Sequence, residues 1–105
     1  MATVSAFVSD QLAVIRQLCV RHHVRRLELF GSATSNRFDD AISDLDFLVE
    51  FQPLAPVDRA DAYFGLLAAL QDLFQRDVDL VETEAISNPY FRKTVDQQRT
   101  VLYAA

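Results

Sequence analysis

Several things are scarce in this chain of 105 residues. It has one cysteine, Cys19, which excludes an internal disulfide and a cysteine-rich zinc site and points to a reducing compartment. It has no tryptophan, one methionine, three prolines and only two glycines, Gly31 and Gly65, so each glycine needs a reason. Positive charge is short: ten Lys and Arg face fifteen Asp and Glu, a formal net charge of −5. Backbone binding of nucleic acid rests on positive charge, so direct DNA or RNA binding is not expected. No apolar run approaches the roughly 20 residues that span a bilayer, and no membrane role is expected. The opening MATVSAFVSDQLAV lacks the basic region and long apolar stretch of a signal peptide, which makes the cytoplasm the expected location.

What is present is a globular balance, half hydrophobic and 24% charged, in a length that suits one domain over 1–105. Charge is unevenly placed. Twelve of the fifteen acids lie between Asp39 and Glu84, where only Arg59 and Arg76 answer them. An acidic centre within basic flanks calls for a cation or a basic partner wherever its carboxylates converge. Asp58, Asp61 and Asp72 fall on a predicted helix and read as solvated charge.

Hydrophobic periodicity predicts alternating helices and strands. Val8, Leu12, Ile15, Leu18 and Cys19 recur at helical spacing over about 5–22. Residues 24–30 are β-capable and halted by Gly31-Ser32. In 43–51, Leu45, Phe47, Val49 and Phe51 alternate with Asp44, Asp46, Leu48 and Glu50, the clearest strand of the chain. Pro56 can begin a helix, and 57–75 places Tyr63, Phe64, Leu66, Leu67, Leu70, Leu73 and Phe74 on one broad face. A strand follows over 76–82. Asn88-Pro89 predicts a last helix, carrying Tyr90, Phe91 and Val95 and ending in the apolar tail Val101-Leu102-Tyr103. The order α-β-β-α-β-α implies an α/β or α+β domain, a small mixed sheet with helices packed on it.

The chemistry concentrates in Gly31-Ser32 and three aspartates. Asp disfavours strands, yet Asp44 and Asp46 share one otherwise apolar strand. Residues i and i+2 project to the same face, so their carboxylates sit together and repel unless a proton or a metal joins them. Mg²⁺ suits such oxygen donors and substrate phosphates. Taken alone, the D-x-D is also compatible with an exposed strand edge decorated with charge against pairing. Gly31 lets backbone approach a ligand, and the Ser32 hydroxyl with nearby amides can hold a phosphate; a plain turn would need glycine too. Asp79 interrupts a second apolar strand, facing opposite to Val78 and Leu80. If the two strands are neighbours, Asp79 joins Asp44 and Asp46 in a site able to hold two metals for phosphoryl or nucleotidyl transfer.

The run LELFGSATSNRFDDAISDLDFLVEF resembles the signature of the DNA polymerase β nucleotidyltransferase superfamily: a Gly-Ser turn, a spacer, D-x-D on a strand, and a third Asp on a later strand. With RDVDLVE, SNPYFRKTV and VLYA following in order, the chain over about 24–103 resembles the minimal nucleotidyltransferases (MNT). The resemblance implies a mixed sheet with packed helices and transfer of a nucleoside monophosphate, with ATP as substrate and two Mg²⁺ ions (or Mn²⁺) as cofactors. It assigns Gly31 and Ser32 to the triphosphate, Asp44 and Asp46 to both metals, and Asp79 to the catalytic metal and the acceptor proton. Asp77 is the rival third acid, but the family pattern puts the carboxylate directly before Leu80-Val81. Two departures stand out. The spacer between Ser32 and Asp44 is one residue longer than is common, and Ala33-Thr34-Ser35-Asn36 replaces a small residue followed by Arg-Gly, with Arg37 as the substitute phosphate contact.

The same resemblance implies a partner: an all-helical HEPN-domain toxin, with the MNT chain as antitoxin of a type VII-like pair that adds AMP to a tyrosine of the toxin. The competing readings are an antitoxin that neutralises by binding alone and a free-standing transferase for a small molecule. Elsewhere, Cys19 with His22 or His23 has metal-like spacing but lacks a third ligand, and Arg21, Arg25 and Arg26 read as solvated. Tyr63, Phe64, Tyr90 and Phe91 read as core or interface.

Overall fold

The computed structural model describes residues 6–30, 45–83 and 100–105. Among these residues, three helices, α1 (Ala6–Ser9), α2 (Leu12–Arg21) and α3 (Pro56–Phe74), accompany four strands. The strands are β1 (Val24–Phe30), β2 (Leu45–Phe51), β3 (Val78–Glu82) and β4 (Thr100–Ala104), in spatial order β3-β2-β1-β4. β1 runs antiparallel to both neighbours, and β2 and β3 are parallel. The parallel pair follows from the connection: a strand, a 19-residue helix and a strand form a βαβ unit, the standard way to return in the same direction.

α3 starts where the sequence predicts. Ala55 is extended, Pro56 occupies the first turn, where its missing N–H costs nothing, and Asp58 complements the helix dipole. It buries Ala62, Leu66, Leu70 and Phe74, a strict i+4 row, with Tyr63, Leu67 and Leu73 packed alongside. The helix ends at Gln75, whose φ of 53° is left-handed and whose amide nitrogen donates to the Asp72 carbonyl at 2.6 Å.

The core lies between the helices and one face of the sheet. Leu45, Phe47, Val49 and Phe51 of β2 meet Val78 and Leu80 of β3, Leu27 and Leu29 of β1 and Leu102 of β4. Val8, Ile15 and Cys19 come from α1 and α2, and Phe47 stacks on Phe74 with ring centroids 6.2 Å apart. Each fully buried leucine here contributes about 2 kcal/mol through removal of apolar surface from water. A second, small cluster of Phe30 and Leu48, with Val81 against it, lies apart from this core.

Three expectations need correction. The single N-terminal helix is two, α1 and α2, interrupted by a turn at Asp10-Gln11. The tail 101–103 does not close a helix: it is β4, because the free edge of β1 offers backbone partners to a β-branched and aromatic run. Phe64 belongs to no core face and is 65% exposed, its ring edge-on to Tyr63 at 5.1 Å. The helix expected after Asn88-Pro89 falls outside the described residues. Asp58, Asp61 and Asp72 are exposed, as expected of solvated charge.

Candidate active site

β2 shows a burial pattern that places 45, 47, 49 and 51 in the helix-covered core, which turns the alternate residues Asp46, Leu48 and Glu50 to the other face. β3 does the same, with Val78 and Leu80 buried and Asp79 exposed between them. The parallel register pairs Asp46 with Asp79, and the antiparallel register on the other side pairs Asp46 with Phe30. Phe30, Asp46 and Asp79 therefore form one row across three strands on the face away from the helices. Neighbouring strands lie roughly 4.8 Å apart, so the two carboxylates stem from adjacent points of the same surface. Like charges directly opposite one another weaken a sheet, so stability alone does not account for this pair.

Of the other residues singled out in the sequence, Gly31, Ser32, Arg37 and Asp44 lie outside the described residues. Gly31-Ser32 follows Phe30 in the chain, the β1 member of the row, and Asp44 precedes Leu45. Among the described residues, no cluster of three or more His, Cys, Asp or Glu converges as a metal site. Two hard carboxylate donors on adjacent strands nonetheless suit the oxygen preference of Mg²⁺.

The outer side of β3 is fastened by α3. The Tyr63 hydroxyl donates to the Leu80 carbonyl at 2.6 Å, and the Arg59 Nε donates to the Glu82 Oε1 at 2.8 Å. On the inner side, the Thr83 hydroxyl reaches the Val49 carbonyl at 3.4 Å. Burial first, then the charges of Asp79 and Glu82, push the Tyr63 phenol above its ordinary value of 10.0. The hydroxyl thus stays a donor at neutral pH and lies within the electrostatic reach of Asp79. A cavity of about 380 Å³, lined by Leu54, Pro56, Arg59, Ala60, Tyr63, Phe64 and Glu82, opens beside this contact and includes neither Asp46 nor Asp79.

Sequence reasoning missed two residues of this region. Tyr63 reads as an ordinary core or interface aromatic, and no pattern in the chain marks its hydroxyl. Glu28 reads as one of the scattered acids, yet it is 3% exposed, pairs in register with Leu48, and meets the Arg26 Nε at 3.1 Å. Among the described residues, Cys19 and His22 belong to no group of three side chains able to hold a metal. Cys19 is fully buried, which pushes its thiol up to about 12.

A mixed sheet with the described helices on one face and in-register aspartates on the other, in a row whose β1 member, Phe30, directly precedes Gly31-Ser32, has the layout of a nucleotidyl-transferring domain. The chain belongs to the nucleotidyltransferase domain family, whose model matches residues 12–102, and is an enzyme of that class. It is 35% identical over 77 residues to the Methanocaldococcus jannaschii protein named "Putative protein adenylyltransferase MJ0128", covering 73% of this chain and 74% of that one. Its fold is similar to that of a solved minimal nucleotidyltransferase, with a TM-score of 0.61 and 29% identity over 89% of this chain and 90% of the other. It is also similar in fold to a chain of the complex between a tri-AMPylated Shewanella oneidensis HEPN toxin and its MNT antitoxin. There the TM-score is 0.57 at 23% identity, covering 92% of this chain and 72% of that chain. No helix among the described residues is long and apolar enough to cross a membrane.

Proposed function

We propose that this chain is the antitoxin of a HEPN/MNT pair and transfers AMP from ATP to a hydroxyl of its partner, a tyrosine of the HEPN toxin. The observation that carries this reading is the register of Asp46 against Asp79 on the face of the sheet opposite the helices. The adenylyltransferase relative and the AMPylated toxin in the related complex support the choice of AMP and of a protein acceptor.

In this reading Gly31 amides and the Ser32 hydroxyl hold the triphosphate, and Arg37 contacts its phosphates. Asp44, Asp46 and Asp79 hold two divalent ions, Mg²⁺ in the first instance, which supply positive charge to the phosphate oxygens when bound. The Asp79 carboxylate accepts the proton of the acceptor hydroxyl. The acceptor oxygen then bonds to the α-phosphorus as the bond from that phosphorus to the bridging oxygen breaks, and pyrophosphate leaves with the electron pair. No covalent intermediate on the protein is needed.

The test is to incubate the complex with Mg²⁺ and ATP and weigh the partner. A gain of one AMP or a multiple is expected; an unchanged mass while the complex forms overturns the enzymatic reading. The altered stretch Ala33-Thr34-Ser35-Asn36 favours a second reading, an antitoxin that acts by contact alone. Full protection of cells by Asp44→Asn/Asp46→Asn would select it. The Mg²⁺ requirement, the tyrosine acceptor and a cytoplasmic location are parts of the proposal.

A further inference from the structure

Among the described residues β3 is an edge strand: β2 lies on one side of its backbone and no strand on the other. An edge strand frays more easily than an inner one, and β3 carries Asp79 at its second residue. α3 supplies what a fifth strand would. Arg59 and Tyr63 are four residues apart on one helical face, and they meet β3 at Glu82 and at the Leu80 carbonyl. Leu80 directly follows Asp79, so the Tyr63 contact acts one Cα–Cα step, about 3.8 Å, from the carboxylate-bearing residue.

We propose that Tyr63 is a positioning residue for Asp79: its hydroxyl, bonded to the Leu80 carbonyl at 2.6 Å, fixes the outer side of β3 so that the Asp79 carboxylate stays in register with Asp46. This rests on the reading of Asp46 and Asp79 as divalent-ion ligands. Tyr63 takes no part in proton transfer. Its phenol is held above the ordinary value, and its proton is committed to a backbone carbonyl. Loss of the hydroxyl leaves the ring packed against the core but frees the Leu80–Val81 peptide, one residue beyond Asp79, which loosens one ligand relative to the other.

The experiment is a Mn²⁺ titration of the full chain, followed by electron paramagnetic resonance, well below the unfolding temperature of every variant. Tyr63→Phe keeps the ring and removes the hydrogen bond; it is expected to weaken Mn²⁺ binding roughly tenfold, the usual scale for losing a group that orients a metal ligand. Ile15→Val trims the core at α2, far along the chain from the carboxylates, and reports what mere destabilisation does. It is expected to bind Mn²⁺ as the wild type does. Equal affinity of Tyr63→Phe and wild type, with binding lost in Asp79→Asn, overturns the positioning role and leaves the ion site standing. Equal weakening in Tyr63→Phe and Ile15→Val also overturns it, because the effect is then general loosening. Wild-type protein that binds no Mn²⁺, or Asp79→Asn that binds as well as wild type, defeats the ion-site reading itself and the positioning role with it.

Discussion

Asp46 of β2 and Asp79 of β3 are direct partners in a parallel ladder, although 33 positions of sequence and a whole helix separate them. Two carboxylates so placed repel when nothing shares them, and opposite like charges weaken a sheet by some tenths of a kcal/mol. Asp79→Asn should therefore fold with stability within about 0.5 kcal/mol of wild type, or slightly above it, and Asp46→Asn should keep the same fold. Each should lose most of its AMP transfer. Denaturant melts alongside the mass-shift assay check both halves.

Gly65 lies in the interior of α3, where alanine would ordinarily stabilise. A Cβ there would stand 3.0 Å from the Cε1 and Nδ1 of His22, the residue that ends α2. The gain of about 1 kcal/mol that alanine brings over glycine in a helix should be absent in Gly65→Ala and should appear in the His22→Ala background. A double-mutant cycle by urea unfolding measures that coupling directly.

Burial, and then the neighbouring charges of Arg21 and His23, lower the His22 pKa from 6.5. A base whose folded value is depressed is held neutral by the fold, so the unfolded chain binds the extra proton first. Stability is then fully present above 6.5 and declines as pH falls through the folded value. Wild type should lose more stability between pH 7.5 and 5.5 than His22→Gln, and the difference in unfolding free energy at several pH values reports it.

Cys19 is sealed in the core, and its thiol is pushed up to about 12. Native protein at pH 8 should therefore react with a disulfide reagent far more slowly than unfolded protein, because burial both withholds the sulfur from the reagent and disfavours its thiolate. Addition of urea should release the thiol in step with loss of helical signal by circular dichroism.

Much of this molecule was legible before any coordinates. The proline and the apolar spacing bound α3 to within one residue of Pro56–Phe74, and strict alternation wrote the two faces of β2. The pairing of β2 with β3 stood in the sequence only as a condition, which the helix between the two strands meets by bringing them back parallel. β4 was not legible: three apolar residues carry no period, and that strand exists because β1 has an edge to offer. The break between α1 and α2 involves no glycine or proline, so nothing local announced it. Phe64 was misplaced because seven apolar residues made the predicted face wider than the stripe that packs. Of the candidate site, the sidedness of Asp46 and Asp79 could be read. The tie from Tyr63 to Leu80 could not, because it joins a side chain to a backbone atom 17 positions away and depends on the packing of the helix.

Because core and carboxylates alternate along the same few residues of β2, the strand tolerates substitution far better than a change of length. A single inserted or deleted amino acid would exchange the roles of its two sides at once, sending Phe47 out of the core and Asp46 beneath the helices. Evolution can thus rework this strand letter by letter, but any drift in its spacing abolishes folding and chemistry in one event.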